Sequence, residues 1–160
     1  MQASTGFRLA SMSRPIATFA AMRLVEEGGQ GAGCTRHAIQ VGLVGAIVAK
    51  AASAPLPQVV ARWVTQPLQM QHTRFAVRPG VPLAVAYADG KPQPIRMTEN
   101  MVVPLAAGQD GGVRFSPLRA FDRHAFASGG AGMVGNAGDY LQLLESVRRS
   151  AAGRPGLVQP

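Results

Sequence analysis

The chain has 160 residues, enough for one domain with a buried core. Hydrophobic residues make up 47% of it, which excludes general disorder, while 19 glycines and 12 prolines call for many turns. The formal net charge of +8 raises nucleic-acid binding as a function. The arginines, however, are scattered singly apart from Arg148-Arg149, and no aromatic residues interleave with a basic stripe, so that class is set aside.

The N-terminal stretch comes first. Residues 1–25 hold three arginines, three serines and no acid, a composition shared with organelle transit peptides but without the pattern of a secretory signal. Pro15 to Glu27, "PIATFAAMRLVEE", is helical in composition and apolar on nearly every side, so a buried helix is expected, stopped by Gly28-Gly29. A short link leads to a second helix from His37 to about Ala52. Its apolar run Ala38 to Ala49 is too short to span a bilayer, so it reads as a core helix and no membrane span is expected. "SAPLP" interrupts, and "QVVARWVTQ", Gln58 to Gln66, reads as a shorter third helix ended by Pro67.

The character then changes. "VPLAVAYADGKPQPIRM" carries a β-type run and the turn dipeptide Asp89-Gly90, and "MVVPLAAGQDGGVRF" repeats the idea with Asp110-Gly111. Pro82 and Pro104 confine these strands to edges, strand starts or irregular structure. A loop follows through "SPLRAFDRHAFASGG". The last helix is expected from about Ala137 to Arg149, with Tyr140, Leu141, Leu144 and Val147 as its apolar stripe. The tail "GRPGLVQP" is expected to fray.

Chemistry-bearing residues are sparse. Cys34 stands alone, and His37, His72 and His124 lack the i, i+4 spacing of a helical metal pair, so neither metal nor cofactor is expected. Gly130, Gly132 and Gly135 spell G-x-G-x-x-G, but a dinucleotide loop needs a buried strand before it and an acid about 20 residues after it. "FDRHAFAS" is no such strand, and no second strand follows. The plainer reading is that Asn136 caps the last helix, Asp139 complements its positive end, and the glycines permit tight backbone turns.

Three stretches, in order, carry a resemblance. "FRLASMSRPIATFAAMRLVEEG", Phe7 to Gly28, resembles F-R-[IL]-A-S-M-[ST]-K-P with its long apolar helix, the nucleophile segment of serine β-lactamase-related proteins. "AIVAKAASAPLPQVVARWVTQPLQMQHTRF" resembles the helix pair after that family's second motif, with its P-L-G-M-x-x-T-x-F ending. "SGGAGMVGNAGDYLQLLESVR" is similar to the later S-G-G-A-G segment. The resemblance implies a single, incomplete domain over residues 1–160. Its fold would be α/β (α+β), a partial serine β-lactamase/transpeptidase-like fold, helix-rich with a small antiparallel β portion. It also makes the arginine-rich start the nucleophile helix and its lead-in rather than a cleavable address.

The implied chemistry is acyl transfer or hydrolysis of a small-molecule ester, β-lactam or peptide. In the family a serine and a lysine at S-x-x-K share one helix face, and the lysine amine takes the hydroxyl proton. The nucleophile falls on Ser11 and the lysine position on Arg14. An arginine keeps its proton, with a pKa above about 12, and cannot be a general base; losing a positioned base lowers rates roughly 10² to 10⁴-fold. Arg14 would instead suit a substrate carboxylate. The family's second-motif tyrosine is missing near Cys34, Thr35, Arg36 and His37. Only "QGAG" separates Gly29 from Cys34, and the chain ends before the K-T-G-type strand. An impaired serine hydrolase is therefore expected. The alternatives are a non-catalytic module that self-associates through exposed apolar helices, and a non-functional remnant.

Overall fold

A computed structural model describes residues 2–27, 43–104 and 112–158. Among them lie four α-helices and six short strands, the strands arranged as three antiparallel pairs. This is the expected mixture of helices with a small antiparallel β portion.

The chain enters through β1, Phe7–Arg8, passes a 3-10 turn at Ala10–Met12, and continues as helix α1, Ser13–Glu26. Pro15 falls within the first helical turn, where its missing N–H breaks no helical bond. Ser13, Ile16, Ala17 and Ala20 form the buried face, at the i, i+3, i+4, i+7 spacing of a helix stripe. The expectation of burial all round is corrected: Met22 and Val25 are 43% and 57% exposed, because the described neighbours pack on one face only. Those neighbours are α2, Leu43–Ala51, and α3, Leu56–Val60. The start of the second helix expected at His37, and the Gly28-Gly29 stop, lie outside the described residues.

Helix α3 starts two residues earlier than expected, at Leu56 with Pro57 in its first turn, and widens into a π-helical turn over Ala61–Thr65. The wider turn carries Trp63, Val64 and Thr65 inward. Ile16, Ala20, Val48, Val59, Val64 and Met133 lie at the centre of the resulting core. The backbone then reverses at Gln69, whose φ is +55°, and returns Met70 to the core at 2% exposure.

Strand β6, Val134–Gly135, pairs with β1 in the register Phe7↔Gly135 and Arg8↔Val134. Its other edge is bridged antiparallel by Arg74, which exchanges two backbone bonds with Val134 at 3.0 and 2.8 Å. Gly6 adds a parallel bridge to Leu83. Both expected hairpins form. Strand β2, Tyr87–Ala88, pairs with β3, Ile95–Arg96, so Asp89-Gly90 sits in a loop over residues 89–94 rather than in a two-residue turn. Strand β4, Val102–Pro104, pairs with β5, Gly112–Arg114; the turn at Asp110-Gly111 lies outside the described residues.

Helix α4, Ala137–Ala151, begins as read from the sequence: Asn136 Oδ1 accepts from the Asp139 amide at 2.8 Å. Of its expected apolar stripe, Tyr140 is half-buried against the core but the other three residues do not face inward. Leu141 and Leu144 are 62% and 53% exposed and Val147 also lies outside, whereas Asp139, Leu143, Ser146 and Ser150 are buried. The tail supplies the reason, and as far as Val158 it is docked rather than frayed. The Leu157 amide donates to Ser146 Oγ at 2.7 Å, and Ser150 Oγ donates to the Val158 carbonyl at 2.7 Å. Two serines thus turn inward to meet backbone, and the leucines on the opposite side turn out. No helix of the described residues is long and apolar enough to cross a membrane.

Candidate active site

Ser11 sits in the middle of the 3-10 turn between β1 and α1, and its side chain is exposed. Ala10, just before it, has φ +44°, a left-handed conformation that costs a non-glycine residue about 1–2 kcal/mol. Such a backbone persists only where its surroundings fix it. Here both backbone groups of Met133 do so: its carbonyl accepts from the Leu9 amide at 2.9 Å, and its amide donates to Ser13 Oγ at 3.2 Å. Leu9 is buried and Ser13 is fully so, which anchors the residues two before and two after Ser11.

Two further side chains brace the turn. The Arg8 guanidinium donates to the Pro117 carbonyl through Nε at 3.1 Å and Nη2 at 2.7 Å, and to the Ala84 carbonyl through Nη1 at 2.9 Å. Burial lowers the Arg8 pKa from its ordinary value. The Tyr140 hydroxyl reaches from α4 to the Met12 carbonyl at 3.4 Å, and burial raises the pKa of this phenol.

Arg14 lies one helical turn beyond Ser11 in the first turn of α1, and its side chain is also exposed. No hydrogen bond or ion pair joins Ser11 to Arg14 among the described residues. Cys34, Thr35, Arg36 and His37 lie outside the described residues. Among the described residues no group of three His, Cys, Asp or Glu could hold a metal ion.

The glycine run packs behind α1. A Cβ on Gly129 would stand 3.1 Å from Ala17 Cβ of α1 and 3.3 Å from Gly45 of α2, so glycine lets three backbones meet there. At Gly135 a Cβ would come within 2.7 Å of Thr73 Oγ1. This is close packing, consistent with the plain reading of the motif. Sequence reasoning missed what Asp139 does beyond the helix end: its Oδ2 accepts from the His72 amide at 2.7 Å and from Thr73 Oγ1 at 2.9 Å. The aspartate of the S-G-G-A-G segment thereby holds the threonine of the P-L-G-M-x-x-T-x-F ending. Both residues stood in the quoted patterns, but their pairing did not.

Residues 30–160 match the model of the family described as Beta-lactamase. The chain belongs to the serine β-lactamase-related family. That match begins after Ser11 and Arg14, so the family assignment stands independently of the nucleophile motif. Among β-lactamase-related proteins, Esterase EstB of Burkholderia gladioli is 39% identical over 120 residues, which cover 75% of this chain and 31% of that protein. The structure of EstCE1, described as a hydrolase with promiscuous acyltransferase activity, superposes with a TM-score of 0.85 at 28% identity. That superposition covers 100% of this chain and 62% of EstCE1. D-alanine carboxypeptidase AmpC from Burkholderia cenocepacia, at 18% identity, TM-score 0.59 and coverage of 91% of this chain and 50% of that one, shares the fold. The β-lactamase-related chain thus spans about a third of EstB and under two thirds of EstCE1.

Proposed function

We propose that this β-lactamase-related chain is an impaired serine hydrolase of the esterase or β-lactam type, with Ser11 as its nucleophile. The observation that carries this reading is the exposed Ser11 hydroxyl on a left-handed turn fixed from behind by both backbone groups of Met133. In this reaction Ser11 Oγ attacks the carbonyl carbon and its proton passes to a base. The alcohol or amine leaves, and water then releases the acyl group. Arg14 occupies the place where the base would stand, and a guanidinium does not accept the proton at neutral pH. Its role is electrostatic, attracting the carboxylate of an anionic substrate.

Hydrolysis of p-nitrophenyl esters and nitrocefin tests the reading, together with labelling by a fluorophosphonate probe. Slow turnover and weak labelling, both abolished in Ser11→Ala, are expected. Arg14→Lys alone should not restore full rates, because groups that act as a unit are not recovered singly. Robust turnover by the wild-type chain would refute the impairment, and labelling that persists in Ser11→Ala would refute the nucleophile.

The second reading is an assembly module. Met22 and Val25 of α1 and Leu141 and Leu144 of α4 are all more than 40% exposed, apolar side chains available to a second chain. Sedimentation velocity decides it: a monomer at every concentration removes this reading.

A further inference from the structure

A groove of about 450 Å³ opens beside the Gln69 reversal, and neither Ser11 nor Arg14 lines it. Met70 and Thr73, both buried, form part of its wall, and Gln66, Gln69, Arg74 and Arg78 stand around its rim. No carboxylate is among its lining residues. We propose that this groove binds a small phosphate-bearing ligand, gripped between the guanidinium groups of Arg74 and Arg78.

Three observations support a site rather than two solvated cations. First, Arg74 is fixed at its root, because its amide and carbonyl are both bonded to Val134, at 3.0 and 2.8 Å. Its guanidinium donates one Nη2 bond to the Gln71 carbonyl and keeps further N–H groups for a ligand. Second, the two arginines repel each other. The Arg74 pKa is lowered by burial and then by the charge of Arg78, against a smaller opposing pull from Asp139. Third, the acid that acts on Arg74 is already committed: Asp139 Oδ2 accepts from the His72 amide and from Thr73 Oγ1. Among the described residues Arg78 has no ion pair.

A dianion relieves that repulsion and a neutral ligand does not. Phosphate carries the matching charge and offers oxygens in several directions, to two guanidinium forks and to the amide groups of Gln66 and Gln69. A monocarboxylate has half the charge and two oxygens, and satisfies one fork. The groove volume lies within the range of small-molecule sites, which fits a phosphate monoester as well as the free ion.

The test is isothermal titration of the wild-type chain with inorganic phosphate, against acetate at equal ionic strength. Saturable binding of phosphate, with acetate far weaker, is expected. Arg78→Ala should weaken phosphate binding by at least about tenfold, the loss of one charge-assisted contact. Arg78→Lys, which keeps the charge but not the fork, should fall between them. Arg78 is exposed, so these variants should keep the wild-type melt and circular dichroism. Heats that do not saturate, equal responses to acetate and phosphate, or undiminished binding by Arg78→Ala would mean an adventitious ion only and overturn the proposal. Ester turnover is indifferent to all three results, so the fate of Ser11 is judged separately.

Discussion

The Met133 amide donates to the buried hydroxyl of Ser13 at 3.2 Å, joining residues 120 positions apart. Ser13 neighbours the proposed nucleophile in sequence but faces the opposite way, with no exposure at all. Two serines in one S-x-S stretch therefore carry different loads.

Ser13→Ala should destabilise the fold by about 1–3 kcal/mol, because it leaves the Met133 amide buried without an acceptor. Ser11→Ala, at an exposed position, should stay within about 0.5 kcal/mol of wild type. Urea melts of the two variants side by side check this. Equal losses would mean that the Met133 contact does not anchor the turn.

Gln69 adopts φ +55° on the surface, where the family pattern P-L-G-M carries glycine. Gln69→Gly removes left-handed strain of about 1–2 kcal/mol and returns about 0.5–1 kcal/mol as added freedom of the unfolded chain. A net gain of up to about 1.5 kcal/mol in thermal unfolding is expected. A loss would show that the glutamine side chain makes a compensating contact.

Arg8 binds the carbonyls of Ala84 and Pro117, so one side chain fastens two loops to β1. Arg8→Ala should destabilise by about 1.5–3 kcal/mol, the range for hydrogen bonds to a charged group, at acceptors that are partly buried. Arg8→Lys should recover little, since an ammonium lacks the planar fork that reaches both carbonyls. Hydrogen exchange around residues 84 and 117 should quicken in both variants. Unchanged exchange would show that the loops are held by other contacts.

Burial raises the Tyr140 pKa above its ordinary value of 10.0. The folded state therefore prefers the neutral phenol, and the unfolded chain ionises first as pH rises. This contribution to stability is whole below pH 10 and is lost as pH climbs through the folded-state value. Tyr140→Phe should flatten the alkaline limb of the stability curve and alter neutral stability little, its bond to Met12 being long at 3.4 Å. An alkaline limb identical to wild type would place the titration elsewhere.

The local features were legible in the sequence. Asn136 was read as a cap because N-x-x-D at a helix start satisfies its own amides, a matter of three residues. The β2–β3 and β4–β5 hairpins were read from their turn dipeptides and apolar runs. Ser11 and Arg14 came from a resemblance, and both stand exposed at the start of α1. What escaped was every contact between distant segments. Apolarity weighed along one helix alone points the stripe Tyr140, Leu141, Leu144 and Val147 inward, and of these Tyr140 packs against the core while the other three are exposed. Ser146 and Ser150 took that place by bonding a tail whose return no periodicity records. The brace of Ser11 escaped for the same reason, since Arg8 meets Pro117 across 109 positions.

Because Leu9 and Ser13 are both held by Met133, the hydroxyl platform lacks its anchor until residue 133 has been synthesised. The nascent chain must carry the apolar face of α1, Ile16, Ala17 and Ala20, without its final cover until residue 133 has left the ribosome. Closure of the platform is therefore a late event in the life of each molecule, set by a loop of 120 positions that has to find its end.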